Sequence, residues 1–142
     1  TLRSSGLVIE LIEARDSLFF QSGSSVLPPA SKKLLSLVAQ RLSGLPNPIV
    51  VEGHTDSVPF SRADGYGNWE LSVDRANATR RFLVTQGVRP EQIAEVRGYA
   101  DTQPRDRAHP ASRRNRRVSI LVNYTGTSNP GDSGPTGAFD LG

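Results

Sequence analysis

Four short runs of branched apolar residues are separated by two stretches whose apolar positions recur with helical spacing. This alternation constrains the fold more than any other feature of the chain. Residues 7–13, 49–55, 93–99 and 118–122 each have strand length and are rich in Val, Ile and Leu. Between the first two runs, Leu35, Val38, Ala39 and Leu42 fall at i, i+3, i+4 and i+7, one face of a helix. Pro28-Pro29 can open that helix, because first-turn amides need no intrahelical partner, and Gly44 and Pro46 close it. A second helix is expected from Asn68, placed as its N-cap, with Glu70 in the first turn where the helix dipole favours a carboxylate. Gly87 stands where a C′ glycine ends it. Its stripe of Ser72, Ala76, Thr79 and Leu83, with Phe82 beside it, is small and weakly apolar, so this helix can lie close to a sheet. The order predicts an α/β fold of one domain, a β-α-β-α-β-β arrangement whose mixed four-stranded sheet carries the helices. Helical crossovers favour parallel neighbours, and the last strand is free to pair antiparallel.

All of these elements lie within residues 1–124. From residue 125 the chain is Gly, Ser, Thr, Pro and Asp with almost nothing to bury, and residues 125–142 read as a disordered tail. A hydrophobic fraction of 36% leaves enough for one modest core. The absence of cysteine excludes a disulfide scaffold and a thiolate metal site. No apolar run approaches the roughly 18 residues of a bilayer span. Methionine is absent even at position 1, which reads as a processed or excised piece, with any export signal or anchor upstream of Thr1. A net charge of +3 fixes no partner by itself. Much of the excess lies in Arg113-Arg114-Asn115-Arg116-Arg117. That run has no interleaved aromatics for base stacking, and Arg117 already opens an alternating strand, so nucleic acid is not expected as a partner.

The residues with chemistry to offer cluster at strand ends and at one helix start. They are Gly53-His54-Thr55-Asp56, then Asn68-Trp69-Glu70-Leu71-Ser72 with Arg75-Ala76, then Asn115-Arg116-Arg117. If the second strand delivers its loop beside the second helix, Asp56, Asn68 and Arg75 converge. A carboxylate and a guanidinium side by side suit a zwitterion: the Asp takes an ammonium group, and the Arg takes a carboxylate through its fork of N–H donors. By residue type alone, the Asp–Arg pair is also readable as a structural salt bridge and Asn68 as a simple cap. His54 then reads as a hydrogen-bonded structural residue and Trp69 as a core or lid residue. His54 with Asp56 lacks the nucleophile–base–orienter set of a hydrolase.

Taken in order, Gly53-His54-Thr55-Asp56, Asn68-x-x-Leu71-Ser72-x-x-Arg75-Ala76, Gly87-Val88 and Asn115-Arg116-Arg117-Val118 resemble the OmpA-like peptidoglycan-binding domain. The likeness spans about residues 7–123. It is closer to the periplasmic part of the flagellar stator B subunits, the MotB type. That closer likeness rests on Ser57-Val58-Pro59 with the long insert to Tyr66, on Trp69-Glu70, and on Gly98-Tyr99-Ala100-Asp101-Thr102. The resemblance implies that Asp56 and Arg75 grip the zwitterionic end of diaminopimelate in a wall peptide, with Thr55, Asn68 and Arg116 at the same site. The acidic residue usual after the first Phe-rich segment is replaced by Ser22. The resemblance further implies no enzymatic activity, no cofactor and no metal. Its expected partners are peptidoglycan, a second copy in a homodimer, and a stator A subunit met through an N-terminal membrane segment absent from this sequence. The domain is then periplasmic, and its parent is held in the bacterial inner membrane. A general outer-membrane or lipoprotein tether of the same fold is the alternative.

Overall fold

The computed structural model describes residues 2–3, 6–12, 20, 25–59 and 63–123. Its elements are β1 (Leu2–Arg3), β2 (Gly6–Ile12), α1 (Pro29–Leu42), β3 (Ile49–His54), α2 (Asn68–Thr85), β4 (Ile93–Gly98) and β5 (Arg117–Asn123). Short 3₁₀ turns at Pro90–Gln92 and Arg113–Asn115 lead into β4 and β5. The tail expected from residue 125 lies outside the described residues, as do Phe19 and Ser22.

The strands lie in the order β1-β2-β5-β3-β4. β3 and β4 are parallel, and β5 is antiparallel to both β2 and β3. The expected four-stranded mixed sheet is therefore present. β1 adds a two-residue antiparallel edge that is too short for any periodicity to reveal. β2 and β3 do run in one direction, as a helical crossover requires, yet they are not neighbours. β5 fills the gap between them, because a crossover fixes strand direction without fixing adjacency. Residues 118–122 are consequently buried without interruption.

Register sorts the side chains into two faces. Ile9, Ile120 and Val51 form one cross-strand row, and Leu11 with Val118 and Ile49 with Val122 extend that face. Leu35, Ala39 and Leu42 of α1 and Ala76 and Leu83 of α2 pack onto it, forming the main core with Phe20 and Leu27. Each such large apolar side chain contributes about 1.5–3 kcal/mol by leaving water. The opposite face begins with an apolar row, Val8, Leu121 and Val50. It then turns polar, through Glu10, Ser119 and Glu52, to a last rung of Arg117 and His54.

The weakly apolar stripe on α2 has a clear structural consequence. A Cβ on Gly53 would lie 2.0 Å from the Ser72 carbonyl oxygen, and one on Gly98 would lie 2.4 Å from Val73 Cγ2. Glycine in β3 and β4, opposite serine on the helix, lets α2 sit directly on the ends of both strands. Ser72 Oγ then accepts the Ala100 N–H at 3.0 Å, joining the helix to the turn after β4. Ala100 adopts a left-handed backbone (φ 51°), held on one side by that bond and on the other by the Thr55 N–H donating to its carbonyl at 2.8 Å.

The start of α2 differs from expectation by one residue. Gly67 is the N-cap, and its N–H donates to Glu70 Oε1 at 2.8 Å. That bond draws the Glu70 carboxyl below its ordinary pKa. Asn68 is the first helical residue, and its amide reaches out of the helix to the Val58 carbonyl at 3.1 Å. The C-terminus follows the glycine rule. Gly87 (φ 116°) donates to Val84, and Val88 donates to Leu83, which together satisfy two of the last carbonyls.

Candidate functional site

β3 delivers Thr55 and Asp56 just beyond its last rung with β5, where His54 pairs with Arg117. The residue before Arg117 therefore lies across from the residues after His54, and the two strand ends meet in an ion pair. Arg116 Nε is 2.7 Å from Asp56 Oδ2. Asp56 Oδ1 accepts the Val58 N–H at 3.0 Å, which curls the chain after the strand. Thr55 Oγ1 donates to the Asp56 carbonyl at 2.9 Å, and the Ser57 N–H donates to Pro110 at 2.9 Å. Asn68, bonded to Val58, ties the start of α2 to the same curl. Thr55, Asp56, Asn68 and Arg116 thus share one connected network. Asp56 is only 7% exposed, whereas the Arg116 side chain keeps 26% of its surface in solvent.

Arg75 enters this region differently from the expected side-by-side pairing. Among the described residues, Asp56 forms its ion pair with Arg116. Arg75 lies on the buried face of α2, 3% exposed, with its guanidinium carbon 5.0 Å from the centre of the Phe20 ring. An aromatic face offers a guanidinium electrostatic support without removing its hydrogen-bonding fork. No residue-type signal links Phe20 to Arg75, since they are distant in sequence.

The face of the sheet that no described helix covers, its open face, holds a second charge cluster that is buried at Glu52 and His54 and that the sequence did not announce. Glu52 is 2.9 Å from Arg97 Nη1 and 3.5 Å from His54 Nε2. Glu10 pairs with Arg105, lies 3.5 Å from Arg117 Nε, and accepts from Ser119 Oγ at 3.4 Å. The His54 ring stacks on Tyr99 with centroids 5.1 Å apart. Burial penalises the Glu52 carboxylate, but hydrogen bonds from His54 and Arg97 outweigh that penalty and leave its pKa below the ordinary value. For His54 burial dominates, and its pKa is lowered despite the bond to Glu52. A clue was present in the sequence, for Glu10 and Glu52 interrupt otherwise branched strands, and a buried carboxylate there requires a cation across the sheet.

His54 is thus buried, held between Glu52 and the Tyr99 ring. Trp69 is 57% exposed, so it is not a core residue. Among the described residues, no three His, Asp or Glu side chains converge as metal ligands. No described helix is long and apolar enough to cross a membrane.

The ordered motifs, the mixed sheet and the Asp56–Arg116 network lie within a stretch that matches a known family: residues 19–117 fit the OmpA family. The chain belongs to the OmpA family. Among relatives in that family, motility protein B of Escherichia coli K12 is 40% identical over 118 residues, covering 82% of this chain and 38% of that protein. The peptidoglycan-associated lipoprotein of Pseudomonas aeruginosa is 34% identical over 111 residues, covering 77% of this chain and 63% of its own. This chain therefore spans well under half of the first relative and less than two thirds of the second. The periplasmic domain of Helicobacter pylori MotB superposes with a TM-score of 0.74 at 23% identity, over 87% of this chain and 86% of that one. At that identity the likeness establishes the OmpA-like fold. The cell wall anchor of the type VI secretion system from P. aeruginosa superposes with a TM-score of 0.68 at 27% identity, over 83% of this chain and 81% of that one.

Proposed function

We propose that this chain binds peptidoglycan non-covalently through the end of β3, and that it anchors a flagellar motor stator to the cell wall. The observation that carries the proposal is the Asp56 carboxylate, nearly buried at a strand end, paired with a part-exposed Arg116 inside the stretch that matches the family. The free end of diaminopimelate bears an ammonium and a carboxylate on one carbon. Asp56 receives the ammonium. Arg75 and Arg116 receive the carboxylate, while Thr55 and Asn68 keep the curl after β3 in place. Each charge-assisted bond contributes about 1.5–3 kcal/mol net. A few such bonds give weak single-site binding, which suits an anchor whose copies act together on one polymer. The domain acts by binding, without turnover.

The similarity to motility protein B supports the stator reading, and with it a periplasmic domain, a homodimer, and a stator A subunit met by a membrane segment of the parent. The similarity to a peptidoglycan-associated lipoprotein supports a second reading, a general tether of the cell envelope. The parent's membrane attachment separates them, since a transmembrane helix fits the first and a lipidated cysteine the second. The binding claim is tested by sedimentation with purified sacculi. Wild type is expected to co-sediment, while Asp56→Asn and Arg75→Ala remain in the supernatant with unchanged far-UV spectra. Equal sedimentation of all three would reject the site.

A further inference from the structure

Trp69 is the chain's only tryptophan, and more than half of it lies open to solvent at the start of α2. Tryptophan is highly buried on average. This one gives little surface to the fold, yet its backbone is fixed from two directions. Asn68, the residue before it, donates to the Val58 carbonyl at 3.1 Å, and the Val58 N–H donates to Asp56 Oδ1 at 3.0 Å. The Ser72 hydroxyl donates to the Trp69 carbonyl at 2.9 Å and accepts the Ala100 N–H at 3.0 Å. Trp69 is therefore mounted between the curl that carries Asp56 and the turn after β4.

The indole does not stand alone. Val58 and Val73 are exposed as well. Val73 lies one helical turn beyond Trp69 on the same face of α2, and it packs over Gly98 at the end of β4. Three exposed apolar side chains thus gather around the start of α2, beside the candidate site. Exposed carboxylates adjoin them: Glu70 follows Trp69 in the chain, and Asp101 follows Ala100.

We infer that Trp69 is the platform for a pyranose ring of the glycan strand whose peptide stem occupies the Asp56 site. The inference rests on the peptidoglycan reading of that site. Reach and chemistry both select a sugar. Asp56 and Val58 are at most about 7 Å apart along the chain, and the bond from Asn68 to Val58 brings Trp69 one residue further. The diaminopimelate seated at Asp56 is joined to its sugar by a short peptide of comparable span, at about 3.5 Å per extended residue. The face of a pyranose ring is a layer of C–H groups, which the electron-rich face of an indole covers. Its hydroxyls donate hydrogen bonds that the Glu70 and Asp101 carboxylates accept. Those carboxylates repel an anionic lipid headgroup and the acidic groups of the stem. An indole also has only two side-chain torsions to fix on binding.

The test compares a soluble disaccharide muropeptide carrying one diaminopimelate stem with the same stem peptide lacking sugar. Wild type is expected to bind the muropeptide roughly tenfold more tightly than the bare stem. Trp69→Ala is expected to lose that gain while binding the bare stem as wild type does. Trp69→Phe, which keeps an aromatic face, regains part of it. As the only indole, Trp69 also reports its own contact: its fluorescence shifts on saturation with the muropeptide and not with the bare stem. A wild type that gains nothing from the sugar, or a Trp69→Ala that keeps the gain, overturns the platform and leaves the Asp56 site standing. Trp69-dependent capture by phosphatidylcholine vesicles, or a dimer that Trp69→Ala dissolves, with no gain from the sugar, assigns the patch to a membrane or a second copy and overturns the platform too. Failure of wild type to bind either ligand rejects the reading of the Asp56 site, and the platform with it.

Discussion

Two groups of charge lie on either side of the last rung between β3 and β5, and they are built differently. On the open face, Glu52 has Arg97 and His54 as ion partners, and Glu10 has Arg105 and Arg117. Those contacts join β2, β3, β4 and β5 with the loop before β5. Beyond the rung, Asp56 has among the described residues one cation, Arg116, and one backbone N–H, from Val58. Carboxylates shared among several strands serve to hold the sheet together. A carboxylate with one part-exposed partner at a strand end has capacity to accept a ligand's ammonium. Charge count alone does not separate the two groups; partner number and the elements those partners come from do.

The largest effect that would sharpen this contrast is on binding. Asp56→Asn keeps the shape and removes the charge, and is expected to weaken sacculus binding by roughly tenfold to a hundredfold. Its unfolding free energy should fall by about 2 kcal/mol, because Asp56 and its partner Arg116 are mostly buried, with the domain still folded by urea denaturation. Glu52→Gln should leave binding alone and affect only the fold. It leaves His54 and Arg97 with a neutral partner in a buried place and destabilises the fold by about 2 kcal/mol. That figure is below the usual cost of breaking a buried pair, because the Arg97 side chain is 38% exposed. Binding by the folded fraction should not change. A binding defect in Glu52→Gln with intact stability would erase the distinction between the two clusters.

Acid sharpens the contrast further. The folded pKa of His54 lies below its ordinary 6.5 because burial disfavours the imidazolium, so the unfolded chain takes up that proton first. Stability from this group is complete above about pH 6.5 and is lost as pH falls through the folded value. Glu52, lowered from its ordinary 4.5, adds a second loss at more acidic pH. Thermal melts across pH should show the upper loss disappear in His54→Gln and the lower one in Glu52→Gln. Identical profiles in wild type and both variants would remove the open face from the stability account. The smallest expected effect is at the exposed Trp69. Trp69→Ala should change stability by no more than about 0.5 kcal/mol, since the side chain gives up little buried surface.

Much of the fold was legible in the sequence because the signals are local. Leu35, Ala39 and Leu42 announce their face by spacing, Pro29 and Gly87 mark helix ends by backbone restriction, and the small stripe on α2 foretells close packing on Gly53 and Gly98. What was not legible depends on contacts between distant residues. Insertion of β5 between β2 and β3 leaves no trace in either strand's own pattern. The helix start slipped by one residue because Gly67 caps with Glu70 while Asn68 turns its amide to Val58 instead. At the site, Asp56 and Arg116 stood out only as members of one motif set, and their direct pairing follows from strand register. The seating of Arg75 against Phe20 joins residues far apart in sequence. The open-face charges were overlooked because a carboxylate within a strand reads as solvent-facing until the opposing strand is known.

The central claim is that the end of β3, rather than the open face, receives the wall peptide. Nuclear magnetic resonance of the ¹⁵N-labelled protein, titrated with a diaminopimelate-containing stem peptide, tests it directly. The account predicts shifts at Thr55, Asp56, Asn68, Arg75 and Arg116, with Glu10, Glu52 and Arg97 unmoved. Shifts confined to the open face, or none at saturating peptide, would contradict it.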